Sequence, residues 1–200
     1  MNLYYLPKPY NRLILFQIIV FLLINLKSNL VYAQQNDTLI IWEKDYSLSW
    51  KDFRGKRKKN DSFASAYSYL EIYLLRSYRN DEIFNNIVVS TFNRYKSFTL
   101  HYNENLLEHE QIHFNILEIF TRKIRKSFDA ISKNKNHKTY DYNTIFYKYQ
   151  DSLRNYQDKY DYETSFSRNK KKQKIWKLVV KKKLNELEDF SSSNFYKLKN

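Results

Sequence analysis

The 200-residue chain contains no cysteine, one glycine and two prolines. The lack of cysteine excludes disulfides, thiolate metal ligands, a cysteine nucleophile and a lipid-modified N-terminal cysteine. The single glycine, Gly55, excludes glycine-rich phosphate loops, dinucleotide-binding fingerprints and the nucleophile elbow of serine hydrolases. Any catalytic chemistry must therefore come from histidine, carboxylate, tyrosine and hydroxyl groups.

Aromatic and basic residues are abundant by contrast. Aromatic residues make up 18% of the chain, and 35 Lys and Arg against 21 Asp and Glu give a formal net charge of +14. This composition and length suit one domain with a packed core. The lysines of segment 168–183 surround an apolar stripe. That pattern favours a solvated helix face, or attraction to anionic envelope polymers, and we expect no nucleic-acid partner.

The first 33 residues have the pattern of a targeting segment. Two basic residues precede an apolar run at 13–24, and Val31 and Ala33 stand at −3 and −1 of a cleavage site before Gln34. The run is shorter than the roughly 20 residues that a membrane-spanning helix needs. The sequence therefore predicts a cleaved signal peptide over 1–33 and an exported protein, periplasmic or extracellular, with no stable membrane anchor after cleavage. The alternative is an uncleaved anchor.

Hydrophobic patterning divides the remaining chain into a strand-rich half and a helical half. Apolar or alternating segments predict strands at 38–42, 63–76, 87–95 and 97–102, and the segment 63–76 is either one long strand or an arm of a hairpin. Three- and four-residue spacing predicts helices over about 105–128, 140–160 and 168–190. Asn105 is the expected N-cap of the first helix, and Gly55 is expected in a turn with positive φ. We therefore expect an α+β fold, with an N-terminal antiparallel sheet packed on three helices and the long first helix at the centre.

An HExxH motif, from His109 to His113, lies in the second turn of the first predicted helix. Histidines four residues apart lie on one helix face, so both imidazoles can bind one metal ion. Glu110 projects nearby, where it can take a proton from a zinc-activated water. If both rings bind one ion, their nitrogens should lie about 3–4 Å apart in a cleft shared with Glu110. The alternative is a pair of packed helix histidines beside a surface glutamate.

The segment LLEHEQIHF at 106–114 resembles a bacterial domain-of-unknown-function family described as predicted secreted zinc-dependent proteases. Segment 48–55 is similar to the LxWxDFxG entry of that family, and 160–164 is similar to its YDxxT segment. Gln173 and Trp176 stand in their expected downstream places. The resemblance covers essentially the whole chain after residue 33. It implies a single zincin-like α+β domain over 34–200, a zinc cofactor and a peptide or protein substrate.

The chain departs from the family directly after the YDxxT segment. The family has x-His-Gly there, and that histidine is an attractive third metal ligand, whereas this chain has Phe166 and Ser167. Asp161 and Glu163 are the nearest carboxylates, and carboxylate is an accepted zinc ligand beside two histidines. Glu163 is favoured because its longer side chain partly bridges the offset from position 166.

These residues support two hypotheses about function. The first is a secreted zinc metallopeptidase, with His109 and His113 as ligands, Glu110 as general base and Tyr160 as an oxyanion donor. Glu118 is excluded as a ligand because, at about 100° per residue, it points to the opposite side of the helix. The second hypothesis is a catalytically lapsed relative that binds a peptide or an envelope polymer through the same cleft.

Overall fold

The computed structural model describes residues 37–57, 65–79, 82–133 and 139–197. The predicted signal peptide at 1–33 lies outside these residues. By internal contacts the chain divides into two units, Met1–Thr38 and Leu39–Asn200, and every element below belongs to the second. Across the part that is described, no helix combines the length and the apolar character needed to cross a membrane.

The second unit has the α+β architecture that the sequence predicts, with its strands preceding its helices. The strands are β1 (Leu39–Ile41), β2 (Ala66–Tyr67), β3 (Leu70–Arg79), β4 (Glu82–Asn93) and β5 (Phe98–Thr99). The helices are α1 (Glu104–Ser132), α2 (Thr139–Thr164), α3 (Lys170–Glu186) and the short α4 (Ser192–Lys197). The three long helices are those expected from the hydrophobic spacing.

The strands form an antiparallel sheet of order β1-β4-β3 and a separate antiparallel pair, β2 and β5. The segment predicted as one strand at 63–76 is interrupted within its described part. The break lies at Ser68 and Tyr69, between β2 and β3: the backbone N–H of Tyr69 donates to Ser97 Oγ at 2.8 Å, while its carbonyl still accepts from the Asn93 N–H of β4 at 2.9 Å. Buried Val88 and Phe92 of β4 belong to the same apolar core as α1.

Helix α1 is the central element, since it contacts the sheet as well as α2 and α3. Its N-cap is Asn103, whose side chain accepts a hydrogen bond from the Leu106 N–H at 3.1 Å. The expectation of Asn105 as N-cap is wrong by two residues. The amide of Asn105 instead donates to the Ser167 carbonyl, which ties the start of α1 to the segment after α2.

Gly55 does not have the positive φ that the sequence predicts. Its backbone N–H donates to the Ser97 carbonyl at 2.7 Å. A Cβ at this position would lie 2.7 Å from that same oxygen and 2.8 Å from the Tyr95 carbonyl oxygen. The glycine is therefore needed for close backbone approach and not for a left-handed turn.

Candidate metal centre

The two motif histidines lie on successive turns of α1, and both are buried. Their Nε2 atoms are 3.2 Å apart, within the range expected for two ligands of one ion. The ring of Tyr160, from α2, stacks on His109 with a centroid separation of 4.6 Å and meets His113 edge-on at 4.8 Å. Packing against this one aromatic ring fixes the orientation of both imidazoles.

Helix α2 adds a third donor to the two histidines. Oδ1 of Asp161 lies 3.0 Å from Nε2 of His109 and 2.8 Å from Nε2 of His113. The three ligand atoms all lie within 4.8 Å of one another, and this group could hold a metal ion. Ligands about 2.0–2.1 Å from a tetrahedral ion are separated by about 3.3 Å, so only a small opening of the cluster would be required.

The carboxylate of Asp161 and the imidazole of His113 each favour the charged form of the other. Burial opposes a charge on His113, but hydrogen bonding to Asp161 and the negative charges of Asp161 and Glu110 outweigh it and raise the pKa of the imidazole. Burial likewise opposes ionisation of Asp161, but hydrogen bonds from both histidines hold its pKa well below the usual range. The carboxylate therefore favours a positive partner at the point where the three side chains meet.

Gln157 orients the ring of His113. This residue lies one helical turn before Asp161, and its Oε1 accepts a hydrogen bond from Nδ1 of His113. Because an amide oxygen only accepts, Nδ1 carries a proton; Nε2 donates to Asp161 when the imidazole is doubly protonated and can bind a metal when it is not. Nδ1 of His109 is buried and has no hydrogen-bond partner among the described residues.

Glu110 lines a cleft of about 1170 Å³ together with both histidines and Asp161. Its Oε2 accepts a hydrogen bond from Ser68 Oγ at 2.6 Å, on the segment between β2 and β3. The cleft also has apolar walls, which include Leu70. Glu110 therefore lies beside the two histidines and Asp161 but is not one of the three residues that could bind a metal ion.

The structure separates the two carboxylates that the sequence offers as third ligand. Glu163 accepts a hydrogen bond from Trp176 Nε1 at 2.9 Å, and its other oxygen lies 3.7 Å from the ammonium of Lys159. It is absent from the group formed by Asp161 and the histidines. The geometry therefore favours Asp161 over Glu163.

Tyr160 is poorly placed for the predicted role of oxyanion donor. Its side chain is fully buried, and its hydroxyl is 3.4 Å from the backbone carbonyl oxygen of His109, to which it donates. Burial, with the nearby charges of Glu110 and Asp161, raises the pKa of this hydroxyl far above its ordinary value. Its observed role is to pack against the two imidazole rings.

Three consecutive residues with positive φ follow α2, and the last two of them line the cleft. Ser165, Phe166 and Ser167 have φ values of 49°, 52° and 71°. Residues other than glycine and asparagine rarely adopt this conformation. Phe166 is 62% exposed and lines the cleft.

Two contributors to the site were not predicted from the sequence, Gln157 and Ser68. A helical signal for Gln157 was available, since it precedes Asp161 by four residues on the helix predicted at 140–160. Ser68 had no such signal, because its contact with Glu110 joins residues 42 positions apart. No family model, curated protein or solved structure matches the chain.

Proposed function

We propose that the protein is an exported zinc-dependent metallopeptidase. The observation that carries the proposal is the convergence of His109, His113 and Asp161 in the wall of a cleft that also contains Glu110. Two histidines and a carboxylate form one of the ligand sets of catalytic zinc, which leaves a coordination position for water or substrate. The resemblance of the motif helix to predicted secreted zinc-dependent proteases supports the same activity.

Each residue of the site would have a separate role in peptide-bond hydrolysis. When bound, zinc supplies the Lewis acidity that makes water nucleophilic near neutral pH and polarises a peptide carbonyl. Glu110 takes the proton from the attacking water and passes it to the leaving amine. Ser68 orients the Glu110 carboxylate through its hydrogen bond, and Gln157 fixes the tautomer of His113. Tyr160 supports the two imidazoles.

A catalytically lapsed relative is the second candidate, and a specific substitution favours it. Phe166 and Ser167 occupy the positions of the histidine and glycine of the resembled family. An exposed phenylalanine at the rim of the cleft suits contact with an apolar side chain of a bound peptide. A protein of this kind would retain the cleft and bind a peptide or an envelope polymer without cleaving it.

The deciding experiment measures zinc content and peptidase activity on the same purified full chain. The wild type should retain about one equivalent of zinc and cleave a fluorogenic casein substrate. Glu110→Gln should retain the zinc and lose activity by about 100-fold or more, because a general base typically contributes that much. Glu108→Gln is the matched control, since Glu108 lies on the same helix turn but pairs with Lys177. It should leave both measurements unchanged.

The remaining outcomes separate the two candidates. A wild-type chain that holds zinc but cleaves nothing supports the lapsed relative. A chain that stays metal-free with excess zinc, and binds the ion only after Phe166→His, excludes the active enzyme. Histidine tolerates the left-handed backbone at position 166 better than most residues, so this substitution is compatible with the turn.

A further inference from the structure

Helix α3 has two apolar stripes, and no described part of the chain covers the second. Its inner stripe, which includes Trp176 and Val180, is buried against the core. On the opposite face Ile175, Leu178 and Val179 are 53%, 68% and 39% exposed. Single exposed aliphatic residues are ordinary, but three adjacent ones on one helix form a patch that favours a partner.

Lysines surround this patch on every side. At about 100° per residue, Lys171 and Lys182 lie in line with Ile175 and Leu178, one at each end. The flanks of the patch carry Lys174 and Lys181 on one side and Lys172 and Lys183 on the other. The one acidic residue of α3, Glu186, lies 3.9 Å from the ammonium of Lys182. The outer face is therefore apolar at its centre and positively charged around it.

We propose that the outer face of α3 docks on an anionic lipid surface. The helix would lie parallel to the bilayer, with Ile175 and Leu178 among the lipid headgroups and upper acyl chains. The lysines would extend their ammonium groups to lipid phosphates while their aliphatic stems cover the patch. This docking is independent of the metal centre and requires no metal.

Charge and apolar exposure together select a bilayer over other anionic partners. A nucleic acid or a soluble polyanion pairs with lysines but leaves Ile175 and Leu178 in water. A lipid headgroup layer offers phosphates beside hydrocarbon, so it satisfies both parts of the face at once. The net positive charge of the chain, +14 before removal of the predicted signal peptide, adds long-range attraction to the same surface.

The lack of native cysteine makes a site-specific test direct. Asn185→Cys places an NBD label at the edge of the exposed face without removing any lysine or aliphatic residue of the patch. With vesicles of phosphatidylcholine and phosphatidylglycerol, the label should gain at least twofold in emission intensity and shift to the blue. Pure phosphatidylcholine vesicles should produce neither change. Since the label reports on α3 itself, attachment of the full chain through another segment does not imitate this result.

Two substitutions in the labelled chain test which side chains cause the change. Ile175→Asn with Leu178→Asn keeps every lysine and should weaken the vesicle-dependent change at least tenfold in lipid concentration. Leu75→Asn, at an aliphatic residue of β3 that is also exposed, is the matched control and should have no effect. A label at Ser77→Cys, on the sheet beyond α1, should not respond to vesicles.

Four results would overturn the proposal. They are unchanged emission at position 185, an equal response at position 77, a response that survives the double asparagine substitution, and an equal response with neutral vesicles. Polyphosphate serves as the competing partner. If polyphosphate binds the labelled chain as well as anionic vesicles do, and the double substitution weakens neither, the face binds soluble polyanions and not lipid.

Discussion

Helix α1 carries two buried polar clusters on opposite faces, and they differ in how their polar atoms are satisfied. One contains His109 and His113 and opens to the cleft. The other is centred on Glu118, nine residues after His109, and lies against the sheet. Glu118 points away from the histidines, as the helical spacing predicts.

In the cluster around Glu118, which we call the closed cluster, the carboxylate is paired within the protein. Its carboxylate accepts hydrogen bonds from Ser90 Oγ at 2.6 Å, Arg122 Nε at 3.0 Å and Arg125 Nη1 at 2.9 Å. Other donors of the two guanidinium groups reach further acceptors, which include Glu188 and the backbone carbonyl of Val88. The charges and hydrogen bonds of the Glu118 carboxylate are thus balanced within the protein, without any added group.

The histidine cluster is different because each of its inward atoms can accept, and an imidazole nitrogen donates to Asp161 only while it carries a proton. Two imidazole nitrogens and a carboxylate oxygen point to one place, and only a proton or a metal ion can lie between them favourably. Burial alone therefore does not distinguish a structural cluster from a functional one. The distinction lies in whether donors and acceptors balance within the protein.

The largest effect that we predict is on the closed cluster. Arg125→Met should lower the free energy of unfolding by about 3–5 kcal/mol, because it removes one of the two arginines that balance the fully buried Glu118 and the side-chain donor to the carbonyls of Val88 and Phe190. Urea unfolding followed by circular dichroism measures this change. Arg154→Met, at an exposed arginine whose pairing with Asp151 is 3.8 Å long, should cost at most about 0.5 kcal/mol. Equal stability of the two variants would contradict the comparison.

The next largest effect is on the cluster of His109, His113 and Asp161, which opens to the cleft and which we call the open cluster. Asp161→Ala should lower zinc affinity by more than about 100-fold, since loss of a direct ligand exceeds the 10–100-fold cost of losing a supporting partner. Competition with a chromophoric chelator measures it. Glu163→Ala is the control and should retain zinc, because its carboxylate bonds to Trp176. The opposite pattern would assign the third ligand to Glu163.

The sequence predicts α1 and its motif well because their signals are local. The spacing of His109 and His113 places both rings on one face whatever the rest of the chain does. The third donor comes from α2, and 52 residues separate it from His109. Asp161 and Glu163 differ by about 200° around α2, so only the rotation of that helix decides between them. Packing of Tyr160 against Trp176, with ring centroids 5.2 Å apart, sets that rotation.

Features set by distant backbone contacts were the least predictable. The requirement for Gly55 comes from carbonyls of Tyr95 and Ser97, about 40 residues away, and nothing around Gly55 indicates them. The left-handed turn at Ser165 to Ser167 contains no glycine or asparagine, the residues from which such a turn is predicted. The alternation around Tyr69 likewise does not indicate the break between β2 and β3, where the Tyr69 N–H bonds to the hydroxyl of Ser97, 28 residues away.

Gln157 offers a smaller and sharper test of the open cluster. Gln157→Leu should weaken zinc binding by about 10–100-fold, because His113 loses the acceptor that fixes its tautomer. Gln157→Glu keeps an acceptor and should restore affinity to within a few fold of the wild type. The absorption of bound cobalt should shift in the leucine variant, since the ligand field depends on the orientation of the ring. Gln150→Leu, two turns earlier on the same wall of the cleft, is the control.

The smallest effect concerns the edge of the closed cluster and depends on pH. Burial opposes ionisation of Glu188, but hydrogen bonds and charges from Arg122 and Lys44 outweigh it and lower its pKa. A lowered folded-state pKa gives stability that is present above the unfolded-state pKa, about 4.3, and is lost as the pH falls through the folded-state pKa. Glu188→Gln should therefore cost about 0.5 kcal/mol at pH 7, a small value because solvent screens the partly exposed side chain.

The difference between Glu188→Gln and the wild type should shrink as the pH falls from 5 to 3 and should also decrease at high salt. Urea unfolding at pH 7, 5 and 3 measures it. Glu186→Gln removes an exposed glutamate with only a 3.9 Å contact to Lys182, so it should show no comparable pH dependence. If this difference in unfolding free energy instead grew toward low pH, the charge of Glu188 would not be what stabilises its contact with Arg122. Glu118 would then be the carboxylate that balances the buried arginines.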